Sequence, residues 1–158
     1  MALDKKQVID ALRAVIAESL DAVERVAAMA RDEATSAETR SEGKYDTRST
    51  EASYLARGQA ERIAALRRLS AWFQTVDTGA LEPPTVRVGA LVLLEGSQKE
   101  CVFIAPSGGN RATVDGQTVR VISPVSPIGR AMADLEAGDE FEVDTPRGLL
   151  AYAVVSVC

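Results

Sequence analysis

The sequence predicts an α+β protein: an N-terminal antiparallel α-helical coiled-coil hairpin, followed by an antiparallel sheet with one short helix. Three observations carry this. Residues 1–76 contain no proline and only two glycines, Gly43 and Gly58, within a background of Ala, Glu and Arg. Apolar positions there recur at alternating steps of three and four, the spacing of a helical seam. Beyond Pro83-Pro84 the chain changes to β-branched runs punctuated by Gly and Pro, the signature of short strands and turns.

The first helix is read from Ile9, Leu12, Ile16, Ser19, Val23, Val26 and Ala30, a heptad seam with one small polar position. The second is read from Ala52, Ala56, Gln59, Ile63, Leu66, Ser70 and Phe73. In an antiparallel pair, facing positions keep a constant sum of residue numbers. Here Leu12 with Phe73 gives 85, while Val23 with Ile63 and Ala30 with Ala56 give 86. Half of that places the turn near residue 43, at Gly43, the residue type best able to adopt a left-handed turn. Between Met29 and Leu55 the large apolar or aromatic side chains are Tyr45 and Tyr54 alone, so the far end of the hairpin buries little area and is expected to be the least stable part.

Asp77 to Thr85 reads as a linker, because Pro83 and Pro84 cannot continue a helix and Gly79 suits its end. The expected division is a hairpin over 1–76, a linker over 77–85 and a second domain over 86–158. In that domain Leu91–Leu94 and Glu100–Ala105 are apolar runs, and Asp115-Gly116 is a tight hairpin signal between Arg111–Val114 and Thr118–Ile122. Ser126 is a helix N-cap with Pro127 at the first helical position, and Gly138 is expected to end that helix after Leu135. Phe141 and Val143, then Leu150, Tyr152, Val154 and Val157 beyond the Pro146-Arg147-Gly148 turn, supply the last strands.

Composition removes whole classes of chemistry. The 158 residues include no histidine, which excludes Ser-His-Asp and Cys-His catalysis and histidine metal sites. The net charge of −5 argues against a bulk electrostatic grip on nucleic acid. Residues 1–77 carry 12 basic and 13 acidic side chains and residues 78–158 carry 6 and 10, so the acidity lies mostly in the second half. Cys101 and Cys158 have no CxxC or Cys/His companion and are expected to be free thiols. Asp4, Lys5, Lys6, Asp10 and Arg13 interrupt any apolar leader or membrane span, so a cytoplasmic protein without membrane contact is expected.

Ser126-Pro127-Ile128-Gly129-Arg130-Ala131-Met132, followed by Gly138-Asp139-Glu140-Phe141-Glu142-Val143 and Thr145-Pro146, resembles the signature of the bacterial Gre transcript cleavage factors. Arg62-Ile63 is similar to the family's Gly-Arg-Ile stretch in the second helix, with Glu61 in place of the Gly. The resemblance implies a C-terminal domain of FKBP-like fold docking at the rim of the RNA polymerase secondary channel, and a coiled coil reaching down it. It further implies that acids at the hairpin tip help hold a second Mg²⁺ in the polymerase active site, where the metal pair activates a water that cuts backtracked RNA at its nascent 3′ end. The protein would then be an accessory factor, monomeric, with Mg²⁺ bound stably only in the polymerase complex.

Anchored on Tyr45, the family's Asp-x-x-Glu-Asn-x-Glu-Tyr tip falls on Glu38, Ser41, Glu42, Gly43 and Lys44, so both family Glu positions are lost and Glu42 stands at the Asn. The tip acids Glu42, Glu38 and Asp46 are the candidates for the catalytic contribution, Glu42 and Glu38 for the shared metal. Ser126, Pro127, Ile128 and Gly129 are the candidate partner contact, and Arg57, Arg62, Arg67 and Arg68 a candidate surface for RNA or polymerase. Structural readings stand beside these: Asp46 as a helix cap, Glu38 and Glu42 as part of a solvated mixed-charge face, the arginines as an ordinary exposed face. Two functions follow, a factor stimulating cleavage or a secondary-channel regulator that inhibits polymerase without cleavage. A prolyl isomerase is disfavoured, because Phe103, Phe141 and Tyr152 are needed for the core of the second half.

Overall fold

The computed structural model describes residues 2–40 and 46–158, with side chains at 2–33 and 54–158. Its elements are α1 (Lys5–Arg40), α2 (Asp46–Thr75), β1 (Leu91–Glu95), β2 (Lys99–Ile104), β3 (Arg111–Val114), β4 (Gln117–Ile122), α3 (Pro127–Met132), β5 (Glu140–Thr145) and β6 (Gly148–Val157). The α+β class expected from the sequence is present. The chain forms two compact units, residues 16–71 and residues 1–15 with 72–158.

The unit of residues 16–71 consists of two helical segments. Ile16, Ala27, Ile63 and Leu69 are buried in it, and Arg67 of α2 donates to Glu24 Oε1 of α1 at 3.1 and 2.9 Å. The seam departs from the strict heptad: Val26 is 56% exposed and Ala30 and Ala56 are exposed, while Ala27 is buried. An α-helix repeats every 3.6 residues, so a 3.5-residue pattern drifts around a helix and the buried line passes from Val26 to its neighbour. The expected turn at Gly43 lies outside the described residues.

The other unit is built on a six-stranded sheet in the order β3-β4-β2-β1-β6-β5. Four of its five pairings are antiparallel, but β2 and β4 run parallel, with Cys101 opposite Val119 and Phe103 opposite Val121. The all-antiparallel expectation is corrected at this pair, and the cause is connection length. The short Ala105–Asn110 loop reverses the chain but sets β3 one strand position away from β2, and the Asp115-Gly116 turn brings β4 back into the gap in the direction of β2. Gly108 allows the loop to pass that closely, since a Cβ there would stand 2.8 Å from Val121 O.

Strand alternation gives the sheet two covered faces. On one, Val92, Leu94, Val102, Ile104, Phe141, Val143 and Val154 form a core closed by Met132 of α3. On the other, Phe103 meets the end of α2, with Phe73 5.6 Å away and Trp72 6.2 Å away between ring centroids. Cys101 to Ile104 are all buried as a result. Residues 72–76, expected in the hairpin domain, thus pack in the compact unit of the sheet. The start of α1, through residue 15, joins the same unit: Lys5 is 3% exposed and its Nζ donates to Gly79 O at 2.8 Å, while Arg13 Nε donates to Phe73 O at 2.7 Å. Leu81, in the stretch read as a linker, packs against the core.

Helix α3 is shorter than expected, ending at Met132 and not near Gly138. The residues after it pair instead with the strand approach: Asp134 N donates to Val86 O at 2.9 Å and Val86 N to Leu135 O at 2.8 Å. These bonds satisfy the backbone groups that another helical turn would have used.

Candidate partner-docking site

Immediately after β4, Ser123-Pro124-Val125-Ser126 makes a tight turn into α3. Ser126 N and Ser126 Oγ both donate to Ser123 O, at 3.1 and 2.7 Å. The same Oγ accepts from Gly129 N at 3.1 Å, which is the capping bond expected of Ser126, with Pro127 in the first helical position. Val125 N donates to Ser123 Oγ at 3.1 Å. Gly129 completes the knot: a Cβ on it would lie 2.1 Å from Ser123 O, so no other residue fits without moving the turn. The bonds hold Val125, 69% exposed, and the exposed Pro127 on a rigid base, while Ile128 is partly buried against the core. Ile128 is thus chiefly an anchor. Val125, absent from the sequence candidates, is the apolar side chain presented outward; an apolar residue between two turn-forming Ser-Pro pairs is the signal for it.

This turn, cap and helix start fall inside a longer match. Residues 82–158 fit the family model described as "Transcription elongation factor, GreA/GreB, C-term". Among curated proteins, the transcription elongation factor GreA of Nitratidesulfovibrio vulgaris strain DP4 is 34% identical over 100 residues, which is 61% of this chain and 58% of that protein. GreA of Rickettsia felis is 33% identical over 98 residues, again 61% and 58%. The chain spans 58% of the length of these relatives. Among solved structures, Thermus aquaticus Gfh1 is similar over 94% of both chains at 21% identity and TM-score 0.38. The GreA/GreB factor of Nitrosomonas europaea is similar over 58% of this chain and 77% of its own, at 26% identity and TM-score 0.37.

Outside the matched residues 82–158, the remaining sequence candidates are placed as follows. Glu38 lies in the last turn of α1 and Asp46 is the first residue of α2, with side chains outside the described set; Glu42 lies outside the described residues. The four arginines are exposed but do not share one face of α2. At ~100° per residue, Arg57 and Arg68 point within about 20° of each other, while Arg62 and Arg67 diverge from Arg57 by about 140° and 80° in opposite directions. Arg57 stands over the Tyr54 ring at 6.0 Å, and Arg67 is engaged by Glu24.

Among the described residues of the unit of the sheet, three titratable groups are shifted. Burial pushes the Lys5 ammonium below its ordinary value; Cys158 and Asp77 counter this in part and Arg87 adds to it. Burial pushes the Cys101 thiol up to about 11, so it stays protonated and unreactive. Burial, then the Glu100 carboxylate that accepts its hydroxyl, raises Tyr152. No group of three or more Asp, Glu, Cys or His among the described residues is arranged to hold a metal ion. Nor is any described helix long and apolar enough to cross a membrane.

Proposed function

We propose that this chain is a Gre-like factor that binds RNA polymerase in its secondary channel and stimulates Mg²⁺-dependent cleavage of backtracked RNA, aiding elongation. The observation that supports it is the GreA/GreB C-terminal match with the α3 turn intact: a bonded Ser126 cap, a glycine at 129 where a Cβ would force the turn to shift, and Val125 and Pro127 held outward. In this reading the domain docks on polymerase through Val125 and Pro127, whose rigidity lowers the entropy lost on binding. Glu42 and Glu38 supply carboxylates to a Mg²⁺ shared with the polymerase near the RNA 3′ end, with Asp46, the first residue of α2, as a further tip acid. The chain contributes ligands and position to a catalytic site that belongs to its partner, as a monomer in the cytoplasm.

The test is a cleavage assay on a stalled, backtracked polymerase complex. Wild-type protein is expected to accelerate cleavage. Val125→Asp is expected to weaken polymerase affinity at least about tenfold, the scale of losing a central apolar contact. Glu42→Ala is expected to keep affinity and cut the cleavage rate by about an order of magnitude or more, with partial rescue by added Mg²⁺. Binding without cleavage at any Mg²⁺ concentration would overturn the cleavage function. The regulator reading, favoured by Ser41 and Lys44 at the family's Glu positions, would then replace it.

A further inference from the structure

The neighbouring strands β5 and β6 are built differently. β5 alternates cleanly: Phe141 and Val143 enter the core, while Glu140, Glu142 and Asp144 stand exposed on the opposite face. That is the pattern of a strand with one side in water. β6 does not alternate. Tyr152 and Val154 pack in the core, yet the residues that the register sets beside the three acids are Ala153, Ala151 and Leu149, with Val155 beyond them at the bulge against β1. A strand apolar on both sides is the sequence of one covered on both sides. Here the outer side is bare: Leu149 is 62% and Val155 43% exposed, and Ala151 is exposed. The cover that Phe73 and Trp72 give to Phe103 on this same face leaves β6 open.

Carboxylates rim the bare row. Glu140, Glu142 and Asp144 run along one side of it on β5, and on the other side β1 sets Glu95 opposite Ala153. Glu95, Glu140 and Glu142 surround a shallow depression of about 530 Å³ that Ala151 and Ala153 also line. None of the four acids makes a salt bridge among the described residues. Lys99 of β2 stands opposite Glu95 and Arg147 lies in the β5–β6 turn, but the residues of β6 facing the β5 acids are all apolar. From Leu149 to Val155 the row is ~20 Å long at about 3.4 Å per residue, and its flanking strands are about 9.6 Å apart. An α-helix of about 13 residues has that length and that width.

The geometry points to a docking surface for a basic amphipathic helix of a partner protein, its apolar face lying along Leu149, Ala151, Ala153 and Val155 and its Lys or Arg side chains reaching the acids on either side. Covering the row removes apolar area from water, and the small alanines let the helix approach closely. The flanking charges steer the helix in and fix its register. A second copy of this chain is a poorer occupant, because its net charge is −5. The surface is on the face of the sheet opposite α3 and is therefore separate from the docking turn.

The experiment is an amide-resolved NMR titration of the full chain with three amidated peptides of about 14 residues. One carries Leu and Ala on one helical face with Lys on both flanks, one is its order-scrambled isomer, and one has Glu in place of Lys. Saturable shifts are expected with the first at Glu95, Glu140, Glu142, Ala151, Ala153 and Val155, with Val125 and Gly129 unmoved. Its affinity is expected to exceed that of the other two at least about tenfold. The charge reversal Glu140→Lys with Glu142→Lys is expected to weaken the Lys peptide at least about tenfold and to let the Glu peptide bind, a gain that a misfolded protein would not show. Leu149→Ser is expected to weaken the Lys peptide about threefold, and Asp32→Asn on α1 to change nothing. Equal affinity for the scrambled isomer, shifts still linear at about 1 mM peptide, an unaffected charge reversal, or shifts centred on the α1 acids would each overturn the proposal. So would shifts confined to the outer edge of β5, which mark an added strand, or movement of the same amides when the chain is concentrated without peptide, which marks a second copy.

Discussion

Replacing Phe73 by Ala tests whether the end of α2 belongs to the core of the sheet. Phe73 is fully buried, edge-on to Trp72 at 5.0 Å and an 89° interplanar angle, and tilted onto Phe103 at 5.6 Å. Truncating a buried phenylalanine costs ~3–5 kcal/mol, of which ~0.5–1.5 kcal/mol per aromatic pair is lost ring contact. For a unit of roughly 100 residues, each kcal/mol lowers Tm by about 4–8 °C, so a fall on the order of 15 °C or more is expected. Urea unfolding followed both by Trp72 fluorescence and by far-ultraviolet circular dichroism is the assay, because Trp72 is the single tryptophan and touches the site. With an m-value of ~1–3 kcal/mol/M, the midpoint of the β-sheet transition should move by on the order of 2 M. Phe73→Leu should recover most of the loss. A change below about 1 kcal/mol in the sheet transition would refute the assignment of Phe73 to that core and restore a boundary near residue 86.

Gly129→Ala should destabilise the sheet unit at the upper end of the ~1–3 kcal/mol seen for overpacking, and Ser126→Ala by ~1 kcal/mol for a lost cap, both read by thermal unfolding. The pKa of Lys5 is lowered on folding, so the unfolded chain binds more protons just below pH 10.5 and stability should rise as pH climbs through that window. Lys5→Met should lack this increment when the two proteins are compared by urea titration at pH 7 and 10, while parallel curves would exclude the effect. With its thiol raised to about 11, Cys101 should react with Ellman's reagent at pH 8 far more slowly than Cys158 until the protein is denatured, a reading lost if both thiols react together.

The elements that the sequence disclosed are those fixed by local chemistry. Ser126-Pro127 starts α3 and Asp115-Gly116 turns β3 into β4 through bonds made within a few residues. Ile9, Leu12, Ile16, Ile63 and Phe73 are buried as their spacing required. What was not legible depends on contacts distant along the chain. The end of α3 at Met132 is set by Val86, the packing of Phe73 by Phe103, and the burial of Lys5 by Gly79. The parallel β2/β4 pair follows from which gap β4 enters, and strand patterning is blind to that. Of the candidate site, the Ser126 cap was legible in the Ser-Pro pair, whereas the close approach at Gly129 and the outward position of Val125 needed the fold.

The gap filled by β4 has a consequence during synthesis. When a nascent chain has emerged only as far as Val114, β2 already exists but its outer neighbour, eighteen residues downstream of each partner, does not. Val102 to Ile104 then present an unpaired apolar edge, the kind of surface that recruits strands from other chains. The β3–β4 hairpin closes locally in about 1–10 μs once Ile122 is available, whereas a ribosome adds residues at roughly 5–20 per second. The exposure therefore lasts for the translation of the eighteen residues from Ala105 to Ile122, about 1–4 s at that rate, and its duration is set by the ribosome's speed over that stretch rather than by the folding of the hairpin.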